Sequence, residues 1–594
     1  MNGQNLKEAQ AIEVAEAARE KVWKKSFLKE LFLGSFKFDM IDPFPMKVLS
    51  PEFKKFYVTF EKFLREQVNP AVIDQTGEYP QETLAGLRKL GAFGMKIPKK
   101  YGGMGLTQVE YDTIMKLLGS YDGNLTALLS AHQSIGAPQP LKLFGTDEQK
   151  EKYLPRMAAG AISAFALTEP NVGSDPSSMK ATVTRTDNGY FLNGVKLWCT
   201  NVTLAEIIIV MAKHDDTGKI SAFVLEMNTP GIEIEHRCHF MGLKALANAQ
   251  VKFTNVFIPK ENLVGAEGQG LKIALTTLNT GRLAVPAACV GAAKECLKAV
   301  RRWSKDRVQW GQSIGKHEAV SQMMADIASH TYAMEAVSDL GSILASDGQH
   351  DVRLEAAAAK EFNTHYGWKI IDDTMQIRGG RGYETETSLE ARGELPVPIE
   401  RMMRDFRINR IFEGSSEIMH LFITREAVDK HVEVAGDFLN SKASFGTKVK
   451  SLGRMAAFYA KWYPAQWLKW GHWPRFNSYG KFAKHLRFID RNARKMARSM
   501  FYGMLIHGGK LQYKQAFLFR LIDIGLDLYA MSATIAKART ASLGTDLAIL
   551  FCETAEQRIK ERFADLWLNN DKHKYQTAKS IMDGSFMWIE SLGV

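Results

Sequence analysis

The spacing of apolar residues changes twice along the chain. From 51 to 160 they recur every three to four positions, as in SPEFKKFYVTFEKFLREQV and EYDTIMKLLGSY, which predicts amphipathic helices. KKYGGMGL (99–106) is a turn-rich connection between them. From 161 to 275 the period shortens. TVTRTDNGYFLNGVKLW carries Asn188-Gly189 and Asn193-Gly194, each between strand-like runs, and each reads as a hairpin or turn. EIIIVMAKHDDTGKISAFVLEM repeats the order strand, turn, strand, and VKFTNVFIP adds another strand. Helical spacing returns near 270 in three long segments, 271–307, 317–346 and 353–377, the last stopped by Gly379-Gly380. Residues 384–400 form a Glu/Pro-rich loop, and 431–594 reads as helical apart from a Trp/Pro-rich stretch near 462–476. The chain is therefore mainly α with an inserted β domain. Its expected parts are a helical arm (1–45), an N-terminal helical domain (46–160), a middle β domain (161–275), a C-terminal helical domain (276–430) and an extra helical domain (431–594).

Bulk composition narrows the class. At 594 residues, 45% apolar and 24% charged, this is the composition of a soluble multidomain protein. No stretch of about 18 uninterrupted apolar residues offers a transmembrane helix. The first 25 residues hold several glutamates and no apolar core, so an amphipathic helix is expected there rather than a secretory or transit peptide. Five scattered cysteines give neither metal-ligand spacing nor a disulfide framework, which fits a reducing compartment. The net charge of +12 is concentrated: residues 451–530 hold 14 Lys/Arg against 3 Asp/Glu. A localised basic field points to an anionic partner, although a solvated helical face is the commoner origin of such a run.

Three motifs carry candidate chemistry. In RDFRINRIFEGSSEIMHLF (404–422), Glu413 lies between the apolar pair Ile411-Phe412 and a Gly/Ser turn that opens a helix. Partial desolvation there would raise its pKa toward neutrality. Taken alone, such a loop glutamate reads as a solvated turn residue. In AFALTEPNVGSD (164–175) a strand runs into a turn that presents hydroxyls and backbone N–H groups. In KLWCTN (196–201), Trp198 and Thr200 fall on alternate positions, one strand face offering a ring and a hydroxyl to a flat heterocycle. From the residues alone a ligand platform and a plain β core weigh equally. MQIRGGRGYE (375–384) ends a helix in glycines that admit close backbone approach; no strand precedes it, so it is not a Rossmann loop.

In this order and separation the motifs resemble the acyl-CoA dehydrogenase family over roughly residues 50–430. MGLKALANAQVKFTNVFIPKENLVG (241–265), LNTGRLAVPAACVG (278–291) and DRVQWGQSIG (306–315) extend the likeness. KSFLKELFLGSFKF, LGAFGMKIPKKYGGMGL, AHQSIG and the C-terminal extension look like its very-long-chain branch. The resemblance implies a helical domain, a β-barrel or sandwich and a four-helix bundle. It also implies FAD as cofactor and α,β-dehydrogenation of an acyl-CoA to trans-2-enoyl-CoA. Glu413 matches the catalytic base; the alternative position used by some members, just before the arginine of the NTGR-type motif, is Gly281. Phe165, Leu167, Thr168, Trp198, Thr200 and Ser415 match flavin contacts. Arg307, Gln309, Gln376 and Gly380 match positions holding the adenosine and pyrophosphate end, partly across a subunit interface. Ser174, Asn279 and Arg282 match positions near the CoA chain.

The implied partners are an acyl-CoA, an electron-transfer flavoprotein and a second copy in a homodimer. The alternatives are an acyl-CoA oxidase using oxygen and a scaffold role. A long-chain preference rests on the extension and on the lack of a bulky acidic residue in LTALLSAHQSIG (125–136). The loop 384–400 is longer than in compact members; covering the adenine end, narrowing the entrance and a surface insertion are the readings open to it, the last being the default. In FYAKWYPAQWLKWGHWPRF (458–476), four tryptophans interleave with Lys and Arg, and 481–501 adds a basic stripe. This composition fits peripheral membrane contact, with packing against the second subunit as the rival. No recognition motif supports nucleic-acid binding. The resulting placement is bacterial cytoplasm, peripheral on the inner membrane, or a mitochondrial matrix in mature form.

Overall fold

The computed structural model describes residues 25–439 and 444–591, so most of the predicted N-terminal amphipathic helix lies outside the described residues. The chain divides into two compact units. One is built mainly from Asp42–Met419 with Arg539–Leu547, the other from Phe27–Ile41, His420–Ala538 and Ala548–Val594.

In the first unit, helix Pro51–Gln67 opens on Ser50, whose side chain accepts from the Phe53 N–H, with proline at the first helical position. Its periodic residues Phe53, Phe60, Phe63 and Leu64 face the core. Helix Gln108–Gly119 opens on a full capping box, Thr107 with Glu110. It packs on the long helix Gly270–Asp306, which also packs on Glu318–Asp347 and Arg353–Arg378. Gly291 lets the first pair approach closely, since a side chain there would strike the Lys116 backbone.

Between these helical parts stands an eight-stranded sheet: β1 (Ser163–Ala166), β2 (Thr182–Thr186), β3 (Gly189–Cys199), β4 (Ile207–His214), β5 (Ile220–Glu226), β6 (Ile232–Arg237), β7 (Ala249–Pro259) and β8 (Leu263–Val264). The order is β6-β7-β3-β2-β4-β5-β8, with β1 parallel to β4. The run IIIVMA is unbroken because β4 is buried on both faces. Ile207, Ile209 and Met211 join one core, and Ile208, Val210 and Ala212 the other. A hairpin turn stands between β2 and β3 as expected, made by Asp187-Asn188, with Gly189 already paired to Thr186 in β3. Asn193-Gly194 does not make a turn: it lies inside β3 at a register shift against β7. There Gly194 (φ +146°) passes so close to Ala181 that a Cβ would stand 2.6 Å from its Cα.

The second unit is helical. Phe27, Leu28, Leu31 and Phe32 are buried in it, the Phe27 ring 6.2 Å from that of Tyr529, and Gly525 leaves room for the Phe32 ring. The expected N-terminal arm (1–45) is thus divided, because Phe27–Ile41 buries its aromatic side against the C-terminal helices. No helix among the described residues is long and apolar enough to cross a membrane.

Candidate active site

The turn after the 3₁₀ helix Arg407–Arg410 places Glu413 with φ +54° and Gly414 with φ +96°, immediately before helix Ser416–Leu439. A left-handed glutamate is strained, and such strain concentrates at functional positions. The carboxyl Oε2 is buried and has no hydrogen-bond partner among the described residues. It faces Gly281 of the Gly270–Asp306 helix, where a Cβ would stand 2.7 Å from Oε2. Burial pushes the Glu413 carboxyl up to about 7, while the charges of Lys360 and Arg282 act in the opposite sense. The Arg282 Nη1 donates to Asn279 Oδ1 at 2.9 Å.

Gly281 is therefore a space requirement for this carboxyl. On the role that the resemblance implies for Glu413, Gly281→Val is expected to push the carboxylate aside and lower turnover about 100-fold with flavin still bound. Steady-state rates and the flavin spectrum of the purified variant check this.

Glu413 opens on a cavity of about 1220 Å³. Phe165, Leu167, Thr168, Ser174, Trp198, Thr200, Arg282 and Ser415 also line it, whereas Asn279 reaches it only through Arg282. Trp198 and Thr200 do not arrive by simple strand alternation. β3 is bulged between Lys196 and Cys199, Trp198 has φ +55°, and Thr200 lies beyond the strand end. The Thr200 oxygen accepts from Asn248 Nδ2 at 3.1 Å, leaving its own hydrogen to donate.

Below this wall Lys196 and Glu169 form a buried ion pair, 2.8 Å apart, at 0% and 3% side-chain exposure. Lys196 Nζ also donates to the Leu167 carbonyl (3.1 Å), and Glu169 accepts from the backbone N–H groups of Lys180 (2.6 Å) and Ala181 (3.0 Å). Together they pin the turn that carries Leu167 and Thr168.

Arg307, Gln309, Gln376 and Gly380 lie outside the cavity lining. Gln309 belongs to an exposed two-stranded hairpin, Val308–Gln309 with Gln312–Ser313, whose tip Trp310 is 90% exposed. Gln376 and Gly380 are exposed at the end of helix Arg353–Arg378. Trp303 brings these two regions together: its Nε1 donates to the Ile377 carbonyl (3.1 Å), and the guanidiniums of Arg307, Arg378 and Arg381 lie 5.2–5.8 Å from its ring.

The 384–400 segment is not a plain surface loop. It contains helix Glu386–Ala391, and Glu394–Ile399 form part of the cavity wall. Arg381–Glu394 (2.6 Å) and Arg392–Glu384 (2.7 Å) hold it, and the buried Arg401 pairs with Glu386 (3.0 Å) and Asp122 (3.4 Å).

Comparison with known proteins decides the family. The N-terminal, middle and C-terminal domains of acyl-CoA dehydrogenase match residues 50–161, 164–256 and 268–428. The probable acyl-CoA dehydrogenase FadE10 of Mycobacterium tuberculosis is 48% identical, covering 98% of this chain and 92% of its own. The chain belongs to the acyl-CoA dehydrogenase family. The human mitochondrial very long-chain specific acyl-CoA dehydrogenase is 33% identical over 94% of this chain and 87% of its own. A crystal structure of a Bacillus anthracis acyl-CoA dehydrogenase complexed with FAD superposes with a TM-score of 0.76 at 26% identity, covering 94% of each chain. This chain is accordingly an oxidoreductase with the acyl-CoA dehydrogenase fold and a C-terminal helical extension.

Sequence reasoning missed Lys196, Asn248, Trp303 and Lys360. Two left a signal: Lys196 interrupts a strand, and Lys360 closes the run Ala356-Ala357-Ala358-Ala359, each a lone cation where the pattern requires burial.

Proposed function

We propose that this chain catalyses FAD-dependent α,β-dehydrogenation of long-chain acyl-CoA thioesters, with Glu413 as the base. One observation carries the reading: a carboxyl whose buried Oε2 has no hydrogen-bond partner among the described residues, with its pKa raised to about 7, opens on the cavity that Trp198 and Thr200 also line. The residues present fit FAD. Trp198 offers a flat face, Thr200 a hydrogen directed by Asn248, and Thr168 and Ser415 further hydroxyls. When bound, FAD supplies the acceptor for the β-hydrogen, which leaves as hydride.

The chain's own part is to take the α-proton on Glu413 and to exclude water. A thioester α-proton is too weakly acidic for an ordinary carboxylate, so dryness and electrostatic stabilisation of the enolate-like state are both required. We assign the Glu413 backbone N–H to the thioester oxygen, Ser174, Asn279 and Arg282 to the CoA side, and Phe165 and Leu167 to the flavin. Arg307, Gln309, Gln376 and Gly380 are assigned to the adenosine end. Their position outside the cavity lining, with Gln309, Gln376 and Gly380 exposed, supports completion of that site by a second subunit.

Support for long acyl chains comes from small residues along the cavity: Gly119, Gly123, Ala127, Ala131, Ala288 and Ala292. Anaerobic titration should bleach the flavin with palmitoyl-CoA and not with butyryl-CoA. Bleaching by butyryl-CoA alone refutes the chain-length reading and leaves the enzyme intact. Electron-transfer flavoprotein is the proposed acceptor; hydrogen peroxide formed with substrate alone would favour the oxidase alternative.

The extension is proposed to contact membranes through 458–501. Trp462 is turned inward among His431, Tyr459 and Phe501, but Trp467, Trp470 and Trp473 are 50–63% exposed, with Arg498 and Arg494 against two of them. Co-sedimentation with anionic liposomes at low salt, abolished by high salt, is expected. Protein left in the supernatant at low salt removes the proposal.

A further inference from the structure

Lys360 lies in helix Arg353–Arg378 behind four buried alanines. It is 0% exposed, and its Nζ donates to the Gly414 carbonyl at 2.6 Å. Removing an ammonium from water is costly, so a buried lysine persists only where local acceptors and counter-charges hold it. Here these are the Gly414 carbonyl, Glu413 and Glu361.

We infer that Lys360 is a positioning residue of the proposed active site: its ammonium clamps the Gly414 carbonyl, fixing the left-handed turn at Glu413, and its charge favours the ionised form of the neighbouring carboxyl against burial. The inference rests on the proposed role of Glu413.

The geometry explains why a clamp is needed. Glu413 and Gly414 both have positive φ, and among the described residues the Glu413 Oε2 has no hydrogen bond to orient it. A donor fixed in a long helix and bonded to the next carbonyl holds the turn without touching the reacting atoms. The charges and titratable groups around the carboxyl come from three helices. They are Lys360, Arg282 from Gly270–Asp306, and the buried Tyr111 from Gln108–Gly119. Of the two cations Lys360 acts on Glu413 more strongly, and Arg282 is engaged by Asn279. Glu361 and Cys289 adjoin Lys360 itself, whose pKa burial lowers to about 8.

Two variants separate charge from clamp. Lys360→Gln keeps a donor for the Gly414 carbonyl and removes the charge; Lys360→Met removes both. Each is purified with FAD and assayed with palmitoyl-CoA and an artificial dye acceptor from pH 6 to 9. Both are expected to hold flavin and to move the acid limb of turnover upward by about one pH unit. Well above that limb, Lys360→Gln should approach wild-type turnover while Lys360→Met stays several-fold lower. An unmoved acid limb in the flavin-loaded variants overturns the inference. Loss of flavin from both also overturns it, since Lys360 would then serve folding alone. An active Glu413→Gln enzyme instead sinks the base assignment, so the two failures are distinguishable.

Discussion

Glu413→Gln should keep FAD bound and lower turnover with palmitoyl-CoA by about 10³- to 10⁴-fold, the range of a lost general base. The amide fills the same space beside Gly281, and the φ +54° turn is unaffected, so the loss is chemical rather than structural. The wild-type pH dependence follows from the same group. Its carboxyl titrates near 7 because burial opposes the charge. Below that pH the proposed base is mostly protonated and cannot accept the α-proton; above it the ionised form accumulates and turnover is expected to rise. Single-turnover bleaching of the flavin across pH 6–9 measures both effects. Near-normal bleaching in the glutamine variant would falsify the assignment.

The second large effect is on stability. Lys196→Met leaves the Glu169 carboxylate buried without its counter-charge, and a loss of about 3–5 kcal/mol is expected. The variant also frees the Leu167 carbonyl and loosens the turn carrying Thr168, so FAD content should fall with stability. The double variant Lys196→Met/Glu169→Gln should recover part of the loss, because it removes the stranded charge. Denaturant midpoints and flavin-to-protein ratios for both variants give the comparison. Unchanged midpoints in the single variant would show that Glu169 does not depend on Lys196.

Much of this was readable in the chain because periodicity reports burial. The helices of 51–160 and 270–378, β1, β4, β5 and the β2–β3 turn follow from spacing and turn chemistry. The misreadings share a cause. Asn193-Gly194 has turn chemistry, but the sheet uses its freedom to pass Ala181 inside a strand. Trp198 and Thr200 reach the cavity through a bulge that no alternation rule describes. The 384–400 segment looks polar, yet Glu384, Glu386 and Glu394 are paired with Arg392, Arg401 and Arg381, and Leu395–Ile399 line the cavity. Phe27–Ile41 precedes the N-terminal domain in sequence and belongs by packing to the C-terminal helices. In each case the deciding contact is one that spacing and turn chemistry do not report.

The Glu413 turn has an evolutionary consequence. Its side chain occupies a left-handed backbone position that glycine would take without strain, and its Oε2 is buried without a hydrogen bond among the described residues. On the proposed role of Glu413, drift at this codon toward glycine relaxes the fold while it ends the chemistry. A lineage freed from the need to turn over substrate would be drawn downhill into a sturdier, inactive relative, and retention of glutamate here is the mark of a chain still under selection for reaction.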